Sequence, residues 1–125
     1  MSQRPQKQHV VVVYPKVLCL VLKRAAPNGK VYDHTVCPSR TLRLDSVLYR
    51  LRSVVVHRGG VSGSGHYWAV CEHIVNGKPS WWLYNDSVRK IATDKDLDAG
   101  QDANGPGRIA LLFYEQVFEV VEASP

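Results

Sequence analysis

Apolar and polar positions along this chain follow the two-residue period of strands far more than the period of helices. Val10-Val11-Val12-Val13-Tyr14 opens with β-branched residues. After Pro15, Val17-Leu18-Cys19-Leu20-Val21-Leu22 is apolar throughout, which predicts a strand buried on both faces. Pro27-Asn28-Gly29 is a turn signal, and Lys30–Val36 is expected to return as a hairpin arm ended by Pro38. Leu42, Leu44 and Leu48 around Asp45-Ser46 fit either a short strand or one helical turn. Tyr49–His57 reads as a strand with Tyr49, Leu51 and Ser53 on one face and Arg50, Arg52 and Val54 on the other. His66–Ile74 and Ser80–Asp86 read as paired strands joined at Asn76-Gly77, a favoured two-residue reversal. Thr93–Gly107 is rich in Asp and Gly and reads as a loop or disordered insert. Arg108–Val121 closes the chain with the buried strand pattern Ile109-Ala110-Leu111-Leu112-Phe113-Tyr114. The expected fold is mainly β: one twisted antiparallel sheet, with no long amphipathic helix. The expected domain runs over residues 10–121, between a polar tail at 1–9 and a short tail at 122–125.

Composition narrows the function classes. The 125 residues are 45% hydrophobic and 22% charged, ordinary for one globular domain. No apolar run reaches the length of about 20 residues that a membrane helix needs. Neither signal peptide nor anchor is read at the polar N-terminus, so an intracellular protein, cytoplasmic or nuclear, is expected. The net charge of +5 raises a nucleic-acid reading, but the basic residues are scattered and no recognition motif accompanies them, which argues for a solvated surface instead. Three cysteines, Cys19, Cys37 and Cys71, exclude a four-thiolate zinc site within the chain and disfavour a disulfide framework. No metal or cofactor is expected. Cys19, inside an apolar run, is expected to be a buried, inert thiol.

Candidate chemistry centres on His66. Four glycines fall within the eight residues 58–65, too many for a stable helix or strand interior. They make a low-profile loop that delivers His66 to the start of a strand. A neutral imidazole can accept a thiol proton if a carboxamide or carboxylate holds its other nitrogen. The thiolate formed would be the nucleophile. Asn85 and Asp86 are the nearest suppliers. An unbulged hairpin is expected to set Asn85 nearer Arg58 than His66, and a bulge or longer loop at 75–79 would shift it by several residues. The sequence permits the contact without fixing it.

Five pieces occur in one order: Pro15-Lys16-Val17-Leu18 with Leu22-Lys23-Arg24; Tyr49-Arg50-Leu51 leading to His57-x-Gly59; Gly65-His66-Tyr67; Trp81-Trp82-Leu83-Tyr84-Asn85-Asp86-Ser87-Val88; and Leu112-Phe113-Tyr114-Glu115. Together they resemble the palm strands and histidine box of the ubiquitin-specific proteases, papain-like cysteine peptidases that release ubiquitin from proteins. The resemblance covers residues 14–116. It implies the C-terminal, histidine-bearing part of such a domain, with His66 as general base, Asn85 as its orienting residue and Asp86 as a second polar support. It implies substrate-binding positions at Gly59 and Gly65, beside the channel for the ubiquitin tail, and at Tyr67 and Trp82. Packing on the sheet is the competing role for the two aromatic residues.

The departures bear on activity. The family's cysteine box, which opens a helix, has no match here, and neither have its thumb and zinc-binding fingers. Cys71 lies five residues past His66 on the same strand and so faces the other side. None of the three thiols opens a helix. Ala25 and Ala110 also stand where the family favours aromatic residues. The expected function is therefore a partial deubiquitinase domain, inactive alone, with ubiquitin or a ubiquitinated protein as partner and a missing cysteine-bearing half. The alternative is a non-catalytic ubiquitin-binding or scaffold module. Half of such a domain leaves a sheet face uncovered, so the isolated chain is expected to aggregate or fold poorly.

Overall fold

The computed structural model describes residues 13–22, 36–59, 65–98, 101–102 and 105–118. The expected reversal at Pro27-Asn28-Gly29, most of its returning arm, the run Val10–Val12 and both tails lie outside these residues.

Three tight reversals organise the chain. Asp45, Asn76 and Asp86 take φ values of 54°, 52° and 52°, and Gly77 takes 74°. Short polar side chains tolerate this left-handed backbone because they can bond locally. Two such residues in succession at Asn76-Gly77 match the twist of paired strands. The reversals join β2 (Thr41–Leu44) to β3 (Val47–Arg58), β4 (His66–Val75) to β5 (Lys78–Asn85), and β5 to β6 (Val88–Ile91). The hairpin of β4 and β5 is the expected one, in unshifted register from Val75↔Lys78 to Ala69↔Tyr84. Leu42 and Leu44 resolve as strand, and β6 is a further strand beyond the predicted ones.

Counting β1 (Val17–Val21) and β9 (Arg108–Gln116), the antiparallel sheet has seven strands in the order β1-β9-β3-β4-β5-β6, with β2 also paired to β3. One face carries the core. Leu51, Val54, Val56, Trp68, Val70, Leu83, Ile109, Leu112 and Tyr114 are each at most 5% exposed. Burying an aliphatic side chain of this size contributes about 1.5–3 kcal/mol. The Tyr49 hydroxyl donates to the Pro15 carbonyl at 2.7 Å, and the Tyr114 hydroxyl donates to the Ser39 carbonyl at 2.7 Å. These bonds satisfy two buried hydroxyls and tie the flanking segments to the core.

Four expectations need correction. First, among the described residues β1 lies at the sheet edge and pairs only with β9. Its side chains alternate between exposed and half-buried, so Cys19 is exposed. An uninterrupted apolar run does not reveal that one of its faces has no covering layer. Second, strict alternation on β3 fails. The pairing with β9 shifts between Leu51 and Ser53, a bulge that re-aims the strand. Leu51 and Val54 therefore both enter the core. Third, residues 93–107 are not featureless. They hold α1 (Asp94–Asp98) and the short pair β7 (Gln101–Asp102) and β8 (Gly105–Pro106). The Asp96 carboxylate accepts from the Thr93 amide at 2.7 Å and from its hydroxyl at 3.1 Å. The Asp96 carboxylate, reaching back to Thr93, caps the start of the helix, which delivers Leu97, 2% exposed, to the core. Fourth, the hairpin needs no bulge at 75–79 to bring Asn85 to His66: its unshifted register already sets the two within hydrogen-bond reach.

Beside the β3 bulge, Glu72 is held by two arginines. Arg50 donates through Nε and Nη2 to its two oxygens at 2.9 and 2.8 Å, and Arg52 donates through Nη1 at 2.9 Å. The Glu72 side chain is 4% exposed. A carboxylate that deep requires such partners.

Candidate functional site

His66 is the first residue of β4. Just before it, Gly65 has φ 153°, and a Cβ there would strike His57 Nε2 and come within 2.6 Å of the Arg58 carbonyl. Glycine is thus the residue that lets the returning loop pass against the end of β3. Across the strands, His66 pairs with Arg58 and Tyr67 with His57.

Asn85 ends β5. The unshifted ladder continues from Ala69↔Tyr84 toward Trp68 and Asn85. His66 lies two residues beyond Trp68 on the same face, a diagonal neighbour within side-chain reach. The His66 Nε2 and Asn85 Oδ1 atoms are hydrogen-bonded. A carboxamide oxygen only accepts, so Nε2 carries the proton and donates. Nδ1 is then left with its lone pair. The Asp86 carboxylate stands 3.9 Å from Nε2, with its side chain 81% exposed.

Under the imidazole lies Trp68. The two rings are 5.9 Å apart and tilted by 32°. Trp68 is 3% exposed, and among the described residues its Nε1 has no hydrogen-bond partner. The Arg58 guanidinium sits over the indole at 5.5 Å. Neither Arg58 nor Trp68 was singled out by the sequence. The signal for Trp68 was its i+2 relation to His66, which puts both on one face. The place of Arg58 depended on the span of the glycine loop.

The structure thus brings together His66, Asn85, Asp86 and Gly65. Gly59 directly follows the facing strand β3, and its carbonyl accepts from Arg108 Nη1 at 3.1 Å. Residues 60–64 of the glycine loop are outside the described set. Tyr67 and Trp82 are not brought to His66, because each points to the opposite face of the sheet. Tyr67 is 59% exposed, and its ring lies 4.4 Å from that of His57. Trp82 is half-buried, donates through Nε1 to Ser80 Oγ at 3.0 Å and lies under the Arg89 guanidinium at 5.4 Å.

The thiols lie elsewhere. Cys71 pairs with Trp82 on the face away from His66, and burial pushes its pKa up, the wrong direction for a thiolate. Cys19 is on β1, with β9 and β3 between it and β4. Cys37 is exposed ahead of Pro38.

The sequence and the fold have known counterparts. The family model of the ubiquitin carboxyl-terminal hydrolases matches residues 2–114. The chain belongs to that family. It is 32% identical to mouse ubiquitin carboxyl-terminal hydrolase 3 over 90% of its own length, and 37% identical to the human protein of that name over 77%. It is 30% identical to ubiquitin carboxyl-terminal hydrolase 7 of Saccharomyces cerevisiae over 91% of its length. The chain spans only 23%, 21% and 9% of these relatives, respectively. Its fold is shared with the crystal structure of an essential yeast splicing factor, at a TM-score of 0.61 and 18% identity, over 86% of this chain and 26% of that one.

Proposed function

We propose that this chain is the base-bearing part of a deubiquitinase domain, and that the nucleophilic thiol comes from outside residues 1–125. The observation that carries the reading is the bond between His66 Nε2–H and Asn85 Oδ1, which leaves Nδ1 as proton acceptor. In the proposed reaction a thiol gives its proton to Nδ1, and the sulfur attacks the carbonyl carbon of the bond to ubiquitin's C-terminus. The proton then passes to the departing lysine amine, and water later cleaves the thioester. Asn85 Oδ1 and the Asp86 carboxylate both lie on the Nε2 side of the ring, so the Nδ1 side is the one open to the thiol. Gly59 and Gly65, at the two ends of the glycine loop that leads to His66, are the positions proposed to border the path of a diglycine tail. Tyr67 and Trp82 pack on the other face, so any role for them in substrate binding is separate from the ring pair.

By itself the chain is expected to be inactive, because none of its thiols lies on the imidazole's face of β4. Ubiquitin bearing a thiol-reactive C-terminus should leave Cys19, Cys37 and Cys71 unmodified by mass spectrometry; an adduct on any of them would overturn this. Titrating the isotopically labelled chain with ubiquitin should shift the amide signals of Gly65, His66 and Asn85. Unmoved signals at millimolar ubiquitin would remove the reading of a non-catalytic ubiquitin-binding module.

A further inference from the structure

We propose that Trp68 is a positioning residue for the His66 imidazole, and that Gly107 and Arg58 hold the indole for that task. The inference rests on His66 being the proton acceptor. One hydrogen bond fixes a single atom of the imidazole and leaves the ring free to tilt about it. A flat, immobile neighbour removes that freedom. Trp68 has the required place, two residues along the same face, with its ring 5.9 Å from that of His66 and tilted by only 32°.

The indole is itself wedged. A Cβ on Gly107 would come within 2.5 Å of Trp68 Cη2 and 2.6 Å of Val56 Cγ1, so the backbone of that residue presses directly on the six-membered ring. On Arg58, the cross-strand partner of His66, the guanidinium lies 5.5 Å from the indole, a cation–π distance. Among the described residues the buried Nε1 has no hydrogen-bond partner, so no hydrogen bond there accounts for an indole at this position. A phenyl ring would fill core without burying that N–H. What the indole supplies is breadth: an extended surface that reaches from Gly107 to the imidazole.

Ring-nitrogen NMR of His66 in the full chain tests this. The wild type should show the Nε2–H tautomer at neutral pH. Trp68→Phe should keep a dispersed amide spectrum yet move the ring nitrogens toward values averaged over both tautomers. Gly107→Ala, which displaces the indole without touching His66, should move them the same way. Unmoved His66 signals in a folded Trp68→Phe or Gly107→Ala chain would overturn the proposal. If neither variant folds, the wild type decides: the imidazole should be as rigid as ordered backbone, with an order parameter of about 0.85, and a value below about 0.6 overturns the proposal. Asn85→Ala separates the two layers of the argument. Loss of the tautomer there, with no effect of the other variants, removes the role of Trp68 alone. A wild-type ring protonated at Nδ1 instead removes the reading of His66 on which it rests.

Discussion

The two faces of this sheet come from the same strands and live in different solvents. On one, Val54, Val56, Val70 and Leu83 are essentially sealed from water. On the other, Val55, Ala69, Cys71, Trp82 and Tyr84 are only half-buried, and Val17, Val21 and Ile91 are 57%, 73% and 60% exposed. Adjacent residues such as Val54 and Val55 have nearly identical chemistry. Their difference in burial comes wholly from whether a second layer exists, and among the described residues that layer lies on one side only. His66 belongs to the sealed face and Cys71 to the open one, so the same asymmetry separates the base from the thiol nearest to it in sequence.

Mutations should register this asymmetry most strongly in the core. Leu51→Ala and Leu83→Ala should each cost about 3 kcal/mol in urea unfolding, while Val55→Ala should cost about 1 kcal/mol or less, since its site is already wet. Equal losses would erase the distinction. Next in size is Glu72→Gln. It leaves two arginines sharing a neutral amide, and about 1–3 kcal/mol should be lost, because Arg50 and Arg52 keep partial access to water. A comparable loss, about 1–3 kcal/mol, is expected for Gly65→Ala, where the positive φ and the clash with the Arg58 carbonyl act together. Its amide spectrum should change at His57 and His66 first.

Smaller effects come from the open face and from pH. The Cys71 thiol and the Tyr114 phenol are both raised by burial. Each is held in its neutral form by the fold, so its contribution is intact below the unfolded value, about 8.5 for a thiol and 10 for a phenol. It is lost as pH climbs from there through the folded value. Stability should therefore decline in alkali, and Cys71→Ser should blunt the earlier part of the decline. The smallest change is expected for Arg89→Ala, which removes an exposed cation from Trp82: below about 0.5 kcal/mol. A larger loss would mean that the open face is better organised than its exposure implies.

Much of this architecture could be read from residue order. Asn76-Gly77 announced the hairpin because only a few residue types adopt two successive left-handed conformations. The palm strands and the box around His66 were legible through several pieces in sequence. The rest depended on facts that are not local. The apolar run at β1 looked doubly buried, since its pattern carries no information about a missing layer. The bulge at Leu51 and Ser53 has no glycine or proline to mark it. Leu97 is a lone apolar residue among aspartates, and the cap signal Thr93-x-x-Asp96 was masked by that acidity. At the site, Asn85 was expected near Arg58, while the plain register already suffices to bring it to His66 on the diagonal.

The reversal at Asn76-Gly77 has a chemical consequence at the far end of its hairpin. The carboxamide that grips the imidazole is on the last of the eight residues of β5, about 25 Å of extended chain from the reversal. Because side chains alternate sides, one extra residue in that corner would rotate every later position of β5 by half a turn. Asn85 would then look out from the wet side, and His66 would lose its hydrogen bond to that carboxamide. The length of a solvent-exposed corner thus dictates the protonation geometry of a distant ring.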